Sequence, residues 1–96
     1  MIIRVFRATP RQEHAPAYEG MIRGDSTTLV ESQKGLVALH VGRAMDGSGE
    51  LVMVSVWQDL ESLQAFTGPD WQTPVALPGE QQLVERTTVA NYESWV

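Results

Sequence analysis

The sequence predicts an α+β domain with the element order βαββαβ, and three observations carry that expectation. Four stretches rich in β-branched and aromatic residues are bounded by turn-forming residues. Two intervening stretches carry apolar residues at helical spacing. The hairpin between the second and third strands is marked by Asp46-Gly47. At 96 residues the chain has the size of one domain, 1–96, with no linker, repeat or low-complexity tract.

The first strand spans Ile2 to Ala8, with Arg4 and Arg7 on opposite faces, and Thr9-Pro10 ends it. Arg11 to Glu31 reads as a helix with Ala15, Tyr18, Ile22 and Leu29 on one face. Pro16 fits only its first turn, and Asp25-Ser26-Thr27-Thr28 is a weak helical run where a break is expected. Gly20 and Gly24, one turn apart, suggest a closely approaching backbone. Leu36 to Arg43 is the second strand, with Leu36, Ala38 and His40 on one face and Val37, Leu39 and Val41 on the other. Glu50 to Trp57 is the third. Asp59 caps a short helix carrying Leu60, Leu63, Ala65 and Phe66, which Gly68-Pro69-Asp70 stops. Asp70 caps a further turn holding Trp71 and Val75, and Gln82 to Tyr92 is the last strand.

This order folds as a ferredoxin-like four-stranded antiparallel sheet with both helices on one face. The first three strands are apolar on both faces, so the open face would be a large apolar patch on a monomer. A second copy packed sheet on sheet about a two-fold axis covers it, and a homodimer is expected.

Charge and composition exclude several classes. Seven basic against twelve acidic residues give a net charge of −5, which argues against nucleic acid and anionic membranes. Without cysteine there is no disulfide, thiolate metal site or thiol nucleophile. His14 and His40 are too far apart for a local metal motif, and no metal or cofactor is expected. No apolar stretch approaches the roughly 20 residues of a membrane helix, and the Arg-interrupted N-terminus lacks a signal peptide's apolar region. A cytoplasmic location is the expectation.

The segment Val52-Met53-Val54-Ser55-Val56-Trp57-Gln58-Asp59-Leu60-Glu61-Ser62-Leu63-Gln64-Ala65-Phe66 resembles a strand–helix unit of the antibiotic biosynthesis monooxygenase family of dimeric α/β barrels. In that pattern the strand ends in an aromatic residue and an acidic-x-x-Ser/Ala-Leu-x-x-Phe helix follows. The resemblance covers nearly the whole chain. It implies a cavity between sheet and helices and, in some members, cofactor-independent oxygenation of quinol- or anthrone-like compounds. The heme-degrading branch is a third reading. Its strand-one asparagine, helix tryptophan and later histidine are replaced here by Arg4 and Arg7, Phe66, and Val75-Ala76-Leu77.

Within such a cavity His40 is the candidate general base, since imidazole titrates near neutral pH; its alternative place is a strand edge or the dimer interface. Arg7 is the candidate partner for an enolate or phenolate oxygen, the alternative being a surface ion pair. Trp57, Phe66 and Trp71 would form an aromatic wall, and Tyr18 could donate a hydrogen bond to a carbonyl or simply pack in the core. The expected function is cofactor-independent monooxygenation of a small aromatic substrate. The alternative is a non-catalytic dimeric domain binding a small apolar or aromatic ligand. The stretch Gly68 to Pro74, lacking the histidine many family members carry there, favours that alternative.

Overall fold

A computed structural model describes all 96 residues. Strands β1 (Ile2–Pro10), β2 (Leu36–Arg43), β3 (Leu51–Trp57) and β4 (Val84–Glu93) form one antiparallel sheet in the order β2-β3-β1-β4. The two central strands, β1 and β3, are adjacent through seven paired positions from Ile2↔Trp57 to Ala8↔Leu51. Helices cover one face, as the sequence predicts.

Alternation along β3 fixes which face is which. Leu51, Met53, Ser55 and Trp57 are buried under the helices, while Val52, Val54 and Val56 lie half-buried on the open face. Register carries this to β1: Arg4 pairs with Ser55 and Phe6 with Met53, so Ile2, Arg4, Phe6 and Ala8 face the helices. Ile3, Val5 and Arg7 join the valines of the open face.

The first helical stretch is continuous but not uniform. A short 3₁₀ turn (Gln12–His14) leads into α1 (Ala15–Met21), a π-helical turn (Ile22–Ser26) and α2 (Thr27–Glu31). Its buried residues are Tyr18, Ile22, Ser26 and Val30, each four apart. In a regular α-helix every four-residue step overshoots a full turn by about 40°, so such a row would wind off the sheet. The wide turn takes up one extra residue and holds the row on one face. Thr27 stabilises it: its hydroxyl donates to the Ile22 carbonyl at 2.7 Å, and its N–H also reaches that oxygen. The break expected at residues 25–28 is thus a change of pitch. It shifts the phase by one residue, and Val30 takes the buried place predicted for Leu29, which stays partly exposed. Gly20 and Gly24 face open space, so the close approach expected there is absent.

Helix α3 (Leu60–Thr67) starts as the sequence indicates. Asp59 accepts a hydrogen bond from the Ser62 N–H at 2.8 Å, and Gly68, at φ +81°, ends the helix. Hydrogen bonds from Ser62 hold the Asp59 carboxyl below the usual carboxylate range. The turn after Asp70 forms through its main-chain carbonyl, which accepts from the Thr73 N–H, and no helix follows. The last strand begins later than the expected Gln82, because Glu80–Leu83 form a one-turn helix, α4.

The core is built on Trp57, Tyr18 and Leu63, all without solvent contact. Trp57 stacks on Phe66 with ring centroids 5.4 Å apart and donates its indole N–H to Ser55 Oγ at 2.9 Å. Gly35 lets the chain pass under α3. At φ +89° it occupies backbone space that L-residues avoid, and a Cβ there would lie 2.2 Å from Ser62 Oγ. Gly35→Ala is therefore expected to cost about 2–3 kcal/mol in urea denaturation, the backbone strain and the clash adding. Gly35→Ala with Ser62→Gly should recover part of the loss; full stability in the single variant would contradict the contact.

Candidate functional site

The chemistry-bearing groups of the helix-covered face meet at one cavity of about 50 Å³. The sheet contributes Arg4, Phe6, Met53 and Ser55 to its floor. The π-helical turn and α2 supply Ile22, Ser26, Leu29 and Val30. Phe66 of α3, Val75 and Leu77 of the 68–79 segment and Glu80 of α4 close it. Two larger depressions, near Arg43 and near Gln82, have more polar linings. No group of three or more His, Asp or Glu side chains is placed to hold a metal ion.

Two opposite charges border this mostly apolar cavity. The Arg4 side chain rises from the middle of the central strand and is 4 % exposed. Its Nη1 donates to the Trp71 carbonyl and, at 3.3 Å, to Asn91 Oδ1; its Nη2 donates to the Thr73 carbonyl at 3.0 Å. No carboxylate lies within ion-pair distance of it. Burial lowers the guanidinium's pKa, yet arginine keeps its charge under any physiological condition. Glu80 is 3 % exposed. Its carboxylate accepts from the Tyr18 hydroxyl at 2.8 Å and from the Leu77 N–H at 2.9 Å. The two charges thus share a cavity without forming a pair with each other.

The residues named from the sequence are distributed differently from expectation. Phe66 lines the cavity. Trp57 lies behind it, stacked on Phe66 and sealed from solvent. Trp71 packs against the core with its ring and offers its carbonyl to Arg4. Tyr18 reaches the site only through Glu80. His40 does not face the cavity. A bulge at Val37 resets the alternation of β2, so Leu36 pairs with Trp57 on the helix side but His40 pairs with Val54 on the open face. Arg7 also lies on the open face, paired with Val52 and Thr88 and 3.8 Å from Glu50. Sequence reasoning missed Arg4 as the inward arginine, and missed Glu80 altogether. A buried glutamate after Pro78-Gly79 carries no pattern by itself, although Pro-Gly before an acidic residue is an acceptable helix start.

Burial and the Glu80 contact both push the Tyr18 hydroxyl well above the ordinary tyrosine value. The neutral phenol is therefore favoured by folding. Its contribution is fully present below the unfolded value, near 10, and is lost as pH rises beyond it. Stability to urea should fall above about pH 10, and the Tyr18→Phe variant should lack that component. In a tyrosinate absorbance titration, the Tyr18 signal should appear only together with unfolding.

The geometry agrees with what the chain is similar to. The family model described as "Antibiotic biosynthesis monooxygenase" matches residues 1–72. Among solved structures, SnoaB, a cofactor-independent oxygenase from Streptomyces nogalater, is 20 % identical, with 97 % of this chain and 91 % of that one covered at a TM-score of 0.74. Rv0793 from Mycobacterium tuberculosis is 16 % identical, with 99 % and 95 % covered at a TM-score of 0.78. PA3566 from Pseudomonas aeruginosa is 14 % identical, with 99 % and 94 % covered at 0.77. At these identities the structures establish a shared fold. No curated protein matches the chain. With three quarters of its length matched by the family model and the sheet, helices and cavity arranged as described, the chain belongs to the antibiotic biosynthesis monooxygenase family.

Proposed function

We propose that the protein is a cofactor-independent monooxygenase acting on a small quinol- or anthrone-like aromatic compound in the Arg4–Glu80 cavity. The observation that carries this reading is the pair of buried opposite charges, unpaired with each other, at one apolar cavity. An aromatic anion needs that combination. Arg4 would hold the phenolate or enolate oxygen and stabilise the charge that develops when a proton leaves. Glu80, oriented by Tyr18, would accept the proton or hold a substrate hydroxyl. The substrate carbanion reacts with O₂. With an anthrone, whose reacting carbon carries two C–H bonds, one oxygen atom becomes the new carbonyl oxygen, the other leaves as water, and the electrons come from those two bonds. Met53, Phe66, Val75 and Leu77 keep the site apolar. His40 and Arg7, on the other face of the sheet, have no part in this cavity.

Family membership and the SnoaB fold support the reading. Oxygen uptake with a panel of anthrones and hydroquinones, without added metal or flavin, tests it. Enzyme-dependent uptake is expected on at least one member, and Arg4→Gln should lower kcat/KM by about a hundredfold. Uptake unaffected by Arg4→Gln would remove the assignment. A specific observation favours a second reading: the cavity holds no histidine. Under that reading the protein binds an aromatic ligand without turnover, and saturable binding with flat oxygen traces would establish it.

The homodimer belongs to the same proposal. Ile3, Val5, Val52, Val54 and Val56 form a continuous apolar face across the central strands. A two-fold axis lays this face on itself and needs no partner of other chemistry. Light scattering should give twice the chain mass, and Val54→Arg should give a monomer.

A further inference from the structure

We propose that residues 69–78 form a lid, hinged at Gly68 and Gly79 and latched by Arg4, which a ring-sized ligand opens by drawing the guanidinium away with an anionic oxygen. This rests on the reading that the Arg4–Glu80 cavity is the ligand site.

Size gives the first argument. A cavity of about 50 Å³ cannot hold a benzene ring, which needs roughly 150 Å³. A ring seated wholly between Arg4 and Glu80 therefore has to displace one wall. The sheet floor is cross-linked by ladder hydrogen bonds, and the helical wall by its own main-chain bonds. Within the 69–78 segment the only main-chain bond is the turn from the Thr73 N–H to the Asp70 carbonyl. The segment contains no helix or strand, and no main-chain hydrogen bond joins it to the sheet. Besides the packing of the Trp71 ring on the core, its ties to the sheet are side-chain bonds: Arg4 to the Trp71 and Thr73 carbonyls, and Asn91 Nδ2 to the Trp71 carbonyl at 3.3 Å. At its far end Leu77 donates to Glu80. Its boundaries are the two glycines at φ +81° and +83°, positions free to change backbone conformation.

Charge gives the second. Three of the five guanidinium donors are spent on Trp71, Thr73 and Asn91, all neutral acceptors. A charged oxygen makes hydrogen bonds roughly twice as strong as neutral ones and would displace main-chain carbonyls from a buried cation. The same event that seats an anion therefore frees the lid. Glu80, already an acceptor, would take a hydroxyl hydrogen at the other side of the cavity. The preferred ligand is thus one compact ring carrying an anionic oxygen and a hydroxyl group. Arg4 is then the residue that sets specificity for charge.

Amide hydrogen exchange read by mass spectrometry tests this, with 4-hydroxybenzoate and the neutral 4-hydroxybenzamide as probes. Arg4→Gln should speed exchange of the segment's two hydrogen-bonded amides, Thr73 and Leu77, at least tenfold while β3 (Leu51–Trp57) is unmoved. In the unmodified protein, 4-hydroxybenzoate should speed exchange of the same segment severalfold, and 4-hydroxybenzamide should not. If Arg4→Gln fails to fold, Asn91→Leu, which keeps the guanidinium and removes two bonds of the latch, should loosen the segment severalfold. Exchange in 69–78 that is unmoved in the folded variants, that changes only together with β3, or that responds alike to both probes would overturn the lid. Oxygen uptake separates the two readings. Lid release by 4-hydroxybenzoate in a protein that consumes no oxygen on any panel member leaves the lid standing and removes the oxygenase. Oxygen consumption with a static segment removes only the lid.

Discussion

A cation placed in the middle of a central strand governs the architecture around it. Arg4 cannot turn to solvent, because its face of β1 lies under the helices. A buried guanidinium without acceptors would cost several kcal/mol. The chain supplies those acceptors by turning the carbonyls of Trp71 and Thr73 toward the guanidinium, with Asn91 of β4 beside them. The course of the segment between α3 and α4 follows from that requirement. So does the placement of Val75 and Leu77, which the same course lays over the cavity.

Glu80 solves the same problem with the opposite sign. Its carboxylate is satisfied by one hydroxyl from α1 and one N–H from its own approach, so α4, a single turn, is fixed to the first helix. Around these two charges the packing is apolar and aromatic, with the Trp57–Phe66 stack beneath. Two charged groups sealed in a domain of 96 residues are a stability burden. Their placement at one cavity is the observation on which the proposed ligand site rests.

Much of the fold was legible because periodicity and turn chemistry act locally. The βαββαβ order, the Asp59 cap, the Asp46-Gly47 hairpin and the Gly68 stop are all dictated by residues close in sequence. The site was less legible because it depends on which face each strand presents. In β1 the rows Ile2-Arg4-Phe6-Ala8 and Ile3-Val5-Arg7 are almost equally apolar with one arginine each, so alternation alone could not choose between Arg4 and Arg7. In β2 a one-residue bulge at Val37 reverses the alternation and carries His40 to the open face. Glu80 owes its importance wholly to partners far off in sequence: Tyr18 is 62 positions away. Phe66 was readable because its helix is short, capped and amphipathic.

The π-helical turn has a consequence for how the family's chains can vary in length. It behaves as a one-residue insertion absorbed inside a helix, with Thr27 sealing the gap it opens. The two halves of that helix thereby keep their buried faces in register. α1 keeps Tyr18 aimed at Glu80, while α2 presents Leu29 and Val30 to the cavity at an angle set by the wide turn. Removing that extra residue would restore regular pitch and leave α2 in nearly its present rotation, whereas removing one from a regular turn would swing it through about 100°. The chain can therefore change length by one residue at this point while the side chains that roof the cavity keep their places.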